Sequence, residues 1–293
     1  MLERLWGVAW RIGLYVLLFV SFTVVALWAV RAAGLPAAGL SIAPTAASLA
    51  AALAAGWVMM YGVERRPAGA LGFALGPSAP RESALGTGIG AALLGLAVLP
   101  VALTGGVRWT PDAGTLSGYL GFAAWTLAFF ALAAAVEEVL FRGYPFQVLE
   151  RGFGPWAAVI ATSLVFAVAH GANPNVRLLG LANIFLAGAM LGAAYLRTRS
   201  LWFATGVHLG WNWTMASLLD LPVSGLELDT PLYTGVETGP DWWTGGSFGP
   251  EAGLAATAAI VAGTAWLLRT PRLRESPDVR RRLGPLAEDG GSR

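Results

Sequence analysis

Apolar runs of about twenty residues recur along this chain, and lipid-length runs are what most limits its architecture. They lie near 11–31, 43–63, 84–104, 118–141, 155–170, 178–197, 201–219 and 251–269. Crossing ~30 Å of hydrocarbon takes ~20 apolar residues, and a helix satisfies its backbone N–H and C=O groups where lipid offers no partner. The expected fold is all-α: a polytopic membrane protein of about eight transmembrane helices. Composition agrees, with 56% hydrophobic and 12% charged residues and a mean hydropathy of +0.62. A soluble domain carries about twice that charge fraction, so the composition disfavours a soluble enzyme. The run from Ile12 to Val30 is longer than the ~7–15-residue core of a signal peptide and reads as a retained anchor. The run at 155–170 is short for a full crossing.

Arginine placement orients these spans. All 19 basic residues are arginine, a usage that points to a GC-rich prokaryotic genome. With the N-terminus inside, the inner segments hold Arg4, Arg11, Arg65, Arg66, Arg81, Arg151, Arg197 and Arg199, and a tail from Arg269 through Arg280 to Arg282. The outer segments hold Arg31, Arg108 and Arg177, and 220–250 carries five acids and no base. The positive-inside rule therefore makes both termini cytoplasmic, in a multi-pass protein of the inner or plasma membrane. Four regions follow: N-terminal membrane helices at 1–117, a catalytic helical core at 118–220, an outer loop and last membrane helix at 221–270, and an arginine-rich cytoplasmic tail at 271–293. The tail is suited to anionic headgroups, or simply sets topology. There is no cysteine, so no disulfide or thiolate metal site is available.

Within the fourth apolar run stand Glu137, Glu138 and Arg142. A charged side chain at membrane depth costs about 3 kcal/mol or more and persists where it is paired or has a task. On a helix Glu138 and Arg142 are four apart, share a face, and pair in the favourable acid-first order. Glu137 points about 100° away. The pair is read as holding structure and tuning charge, with Glu137 facing a cavity as a general base. The plainer alternative is that both glutamates merely lock helix packing. His170 and His208, the only histidines, lie four residues from Phe166 and Asn212 respectively, each pair on one helix face. At ~1.5 Å per residue, Glu137, His170 and His208 fall in one layer, expected in the inner half of the membrane.

Two other patterns invite chemistry and do not support it. Gly86-Thr87-Gly88-Ile89-Gly90 resembles the start of a dinucleotide fingerprint, but it lies inside a membrane span with no preceding strand. Gly86 and Gly90 are better read as a seam for close helix approach. Gly245-Gly246-Ser247-Phe248-Gly249 spells a nucleophile elbow without the strand-turn-helix context. Trp242 and Trp243 are expected at the outer interface.

The ordered motifs Glu137-Glu138-x-x-x-Arg142, Phe166-x-x-x-His170 and His208-x-x-x-Asn212 resemble those of the CPBP family, the intramembrane proteases that include CAAX prenyl endopeptidases and bacteriocin-processing proteins. The stretch Leu179 to Asn212 resembles its connecting region, and the likeness covers about 118–220. It implies intramembrane peptide-bond hydrolysis, with Glu137 and His170 orienting and deprotonating a water while His208 and Asn212 stabilise the oxyanion. No cofactor is required on this reading. The second reading is a zinc enzyme with Glu137, His170 and His208 as ligands, although no His-Glu-x-x-His pair is present. The expected partners are a membrane-anchored peptide or protein substrate and the lipid bilayer, and no nucleic acid. Outside proteolysis, the same acids suit an ion or proton transporter, or an immunity protein that binds a peptide without cutting it. A transporter of repeated halves is disfavoured, because no repeat is found.

Overall fold

The computed structural model describes residues 1–36, 39–277 and 279. The tail residues 280–282, which the topology argument used, lie outside the described residues. Every apolar run is helical: α1 (Leu2–Ala32), α2 (Ile42–Val58, continued by a π-type turn Met59–Val63), α3 (Ser78–Leu103), α4 (Leu116–Arg142), α5 (Tyr144–Phe153), α6 (Pro155–Ala169), α7 (Leu178–Thr198), α8 (Leu201–Trp213, continued by a π-type turn Thr214–Leu218), a single turn α9 (Asp241–Thr244) and α10 (Leu254–Arg269). Among the described residues six helical segments are long and apolar enough to cross a membrane, and α8 and α10 are shorter. The protein is a helical, multi-pass membrane protein.

Two departures from the expected all-helical chain occur. The strands β1 (Val107–Pro111) and β2 (Tyr233–Glu237) pair antiparallel, with Trp109 opposite Gly235. This ribbon ties the 104–115 connection to the 219–253 segment, and Trp109 Nε1 donates to the Leu219 carbonyl at 2.7 Å. Also, the last span starts at Leu254 rather than 251, because Pro250–Ala252 forms a separate 3-10 turn.

Local chemistry explains where the site-bearing helices begin. Thr115 caps α4 by accepting from Gly118 N, and Ser200 caps α8 by accepting from Phe203 N. Gly154, at φ +90°, breaks the chain between α5 and α6, and Pro155 starts α6 with its fixed φ and no orphan N–H. The fifth span is thus short by construction.

One apolar cluster joins α3, α4, α7, α8 and α10 through residues such as Leu94, Phe130, Met190, Phe203 and Ala259. A second joins α1, α2, α5 and α6 through Tyr15, Met59, Phe146 and Val159. The glycine seam is present and two-sided. A side chain at Gly86 or Gly90 would run into the α8 backbone at Phe203 and Val207, and one at Gly206 or Gly210 would run into the α3 backbone at Ser83 and Thr87. The two backbones therefore touch, as small residues allow in lipid. The seam presses one side of α8 onto α3 and leaves His208 and Asn212 turned toward a cavity. By contrast, Gly88 has open space around it. Gly90→Leu is therefore expected to lower the melting temperature in detergent markedly, whereas Gly88→Leu leaves it nearly unchanged; equal melting curves for the two variants would remove the seam from the account.

Candidate active site

Arg142 is fully buried, so its charge must be met by the protein, and it is met through the two Nη atoms, since Nε has no hydrogen-bond partner among the described residues. Its Nη1 donates to Glu138 Oε1 at 3.1 Å and its Nη2 donates to the Gly188 carbonyl of α7 at 2.8 Å. The guanidinium also lies over the Phe166 ring, 4.9 Å from the centroid, the arrangement of a cation–π contact. One arginine thus links α4, α6 and α7.

Glu138 extends the link to α8. Its Oε1 also contacts His208 Nδ1 at 3.0 Å. With that carboxylate committed to Arg142, Nδ1 is the donor, and the opposite nitrogen, Nε2, faces Glu137 Oε2 at 3.7 Å. The Glu137 side chain is 32% exposed and lines the cavity, and its Oε2 makes no hydrogen bond to the described residues. Adjacent glutamates thus have different surroundings: Glu138 is fully buried with its Oε1 shared by Arg142 and His208, whereas Glu137 is partly exposed at the cavity, and the Oε2 of each has no hydrogen-bond partner among the described residues.

His170 follows the last residue of α6. Its Nδ1 lies 2.8 Å from the Phe166 carbonyl, which only accepts, so Nδ1 carries the hydrogen and Nε2 keeps a lone pair in the neutral ring. Phe166 stands between the two histidines, with its centroid 4.5 Å from the His170 ring and 6.1 Å from the His208 ring. Asn212 lines the same cavity and its amide has no hydrogen-bond partner among the described residues.

Glu137, His170, His208 and Asn212 border one cavity of about 400 Å³ whose remaining wall is largely apolar, including Phe129, Phe130 and Leu140. Glu138 and Arg142 support it from behind. Asn173, Ser224 and Glu251 also line the cavity, so segments before α7 and after α8 contribute to its wall. The zinc alternative fits poorly. Among the described residues no three His, Asp or Glu side chains converge as a ligand set, and the direct contact of Glu137 is to His208 rather than His170. The serine of the Gly-x-Ser-x-Gly pattern is exposed in a 3-10 turn far from any strand-turn-helix, so no elbow exists.

Motif reading missed Glu251. It is 6% exposed, its Oε2 accepts from Ser224 N at 2.8 Å and Ser224 Oγ at 2.6 Å, and its Oε1 accepts from Trp211 Nε1 at 3.2 Å. Burial raises its carboxyl above the ordinary carboxylate range, opposed by the Ser224 hydrogen bonds and the nearby histidines. One sequence signal was available: a lone acid at the start of an apolar span.

Residues 119–214, about a third of the chain, match the family model described as type II CAAX prenyl endopeptidase Rce1-like. The segment that holds the site is thus similar to the Rce1-like members of the CPBP family of intramembrane proteases. An uncharacterized 24.3 kDa protein of Escherichia coli is 35% identical over 85 residues, which is 28% of this chain and 38% of that protein. The match therefore spans well under half of that relative. No solved structure matches the chain.

Arg142→Ala strands Glu138 without its cation, and removing one partner of a buried pair costs ~3–5 kcal/mol. The variant is expected to show a much lower melting temperature and reduced protein yield. Arg142→Lys, which supplies one point charge where the guanidinium serves both Glu138 and Gly188, is expected to recover only part of the loss. Wild-type unfolding in Arg142→Ala would contradict this network.

Proposed function

We propose that the chain is an intramembrane endopeptidase that hydrolyses a peptide bond of a membrane-anchored substrate with Glu137 as the general base. The observation that carries this reading is the Glu137 side chain on the cavity wall, partly exposed, with Oε2 unbonded to protein and 3.7 Å from the imidazole Nε2 of His208. A partly exposed carboxylate on the cavity wall, beside a fully buried one whose Oε1 is held by Arg142 and His208, is the arrangement expected of a base rather than of a packing pair.

In this mechanism His170 Nε2 accepts a hydrogen bond from a water while Glu137 takes its other proton. The water oxygen bonds to the peptide carbonyl carbon, and the negative charge moves onto the carbonyl oxygen. Asn212 and His208, four residues apart on α8, donate to that oxyanion; the imidazolium form of His208 donates through Nδ1 to Glu138 and through Nε2 to the cavity. The C–N bond then breaks and Glu137 returns its proton to the leaving amine. The products are a new carboxyl terminus and a new amine. The mechanism is written without a metal, and the zinc-dependent version with Glu137, His170 and His208 as ligands is the alternative that chelation tests.

The apolar cavity wall suits an extended peptide with apolar side chains drawn from a membrane anchor. The substrate proposed is a membrane-associated peptide such as a bacteriocin-like precursor or a signalling protein of a prokaryote, in the plasma membrane with both termini of the enzyme cytoplasmic. The tests use purified chain reconstituted with membrane-anchored reporter peptides. Glu137→Gln, which keeps volume and removes the base, is expected to abolish cleavage while the protein stays folded; retained cleavage would sink the mechanism. Asn212→Ala is expected to lower kcat by about 10²–10³, the usual loss for one oxyanion donor, with little change in KM. Exhaustive chelation is expected to leave activity intact. Stoichiometric zinc whose removal and return switch cleavage off and on would favour the metal mechanism instead.

A further inference from the structure

Four side chains outside the expected catalytic set form a continuous polar connection across the cavity. Asn173, three residues after His170, donates from Nδ2 to the Ser224 carbonyl at 3.0 Å. Ser224 donates from N and Oγ to Glu251 Oε2 at 2.8 and 2.6 Å. Glu251 Oε1 accepts from Trp211 Nε1 at 3.2 Å, and Trp211 precedes Asn212 on α8. The Glu251 backbone is itself held, because Asn183 of α7 donates from Nδ2 to its carbonyl at 2.8 Å and to that of Gly253 at 3.0 Å. The turn carrying Ser224 is equally confined: Gly225, at φ +85°, donates to the Phe248 carbonyl at 2.9 Å, and a side chain there would strike the Pro174 backbone.

We infer that Glu251 is a positioning residue of the proposed active site, the central link of a strap that sets the gap between the His170 segment and the His208–Asn212 face of α8. The inference rests on the protease reading for its catalytic consequence, but the strap itself is a statement about distance. His170 ends its helix, and the only covalent route from it to Asn212 runs through the whole of α7. Helix packing alone leaves such a terminus free to shift, whereas three donors converging on one buried carboxylate resist it. A displacement of about 1 Å between a water-orienting group and an oxyanion donor is enough to cost about 10²-fold in rate. Ser224 and Glu251 lie outside the 119–214 family segment, so this chain's outer loop completes a site that the core alone leaves unbraced.

Glu251→Gln is the informative substitution, because an amide keeps volume but presents one oxygen in place of two and cannot accept from both Trp211 and Ser224. It is expected to lower kcat by about 10–100-fold with KM little changed. Asn173→Ala, at a partly exposed position, is expected to lower kcat in the same way, and the double variant is expected to be no slower than the slower single, since both cut one connection. A kcat per folded molecule equal to wild type in either single, or losses that multiply in the double, would overturn the inference. A second readout is independent of catalysis. The chain has no cysteine, so spin labels at Gly171→Cys and Leu218→Cys report one distance without background. That distance is expected to be narrow in the parent and broadened by Glu251→Gln; an unchanged distribution refutes the strap. If the parent cleaves nothing that Glu137→Gln abolishes, the protease reading fails, and the label distances still decide the strap.

Discussion

Everything near the cavity is referred to the buried Arg142–Glu138 pair. A guanidinium at zero exposure is tolerated because a carboxylate, a carbonyl and an aromatic face surround it, and these come from three different helices. Glu138 in turn spends the same oxygen on His208. The pair therefore does two jobs at once: it pins α4 to α6, α7 and α8, and it fixes which histidine nitrogen faces the cavity. Glu137 inherits its freedom from this, since the neighbouring glutamate has absorbed both the arginine and the inner nitrogen of the imidazole.

The α3–α8 glycine seam supplies the complementary constraint. Hydrogen bonding alone would allow α8 to rotate about its axis, but contact of the two backbones through Gly86, Gly90, Gly206 and Gly210 leaves one orientation. That orientation turns His208 and Asn212 together into the cavity. The polar network thus sets the ring, and the apolar seam sets the helix that carries it.

The 219–253 segment contributes more than a connection between spans. Its β-ribbon ties the 107–111 strand to 233–237, and its turns bring Ser224 and Glu251 to the cavity wall. A buried carboxylate in a loop is costly unless donors surround it. Here the donors come from the loop itself and from α8, so the cost of burial is offset by contacts that also position the site.

Helix content, the approximate spans and the Glu138–Arg142 pair were legible in the sequence, because hydropathy runs and a four-residue spacing are local properties set by helix geometry and by the absence of water in lipid. Gly86 and Gly90 announced a seam for the same reason, and the three ordered motifs named the residues that border the cavity. Tertiary structure alone decided which nitrogen of His208 meets which glutamate, that Gly206 and Gly210 answer the α3 glycines, and that Phe166 separates the histidines. It also decided that Glu251 reaches Trp211 from 40 residues away. These are contacts between segments distant in the chain, fixed by how whole helices pack and where loops fold back, and no local periodicity encodes them.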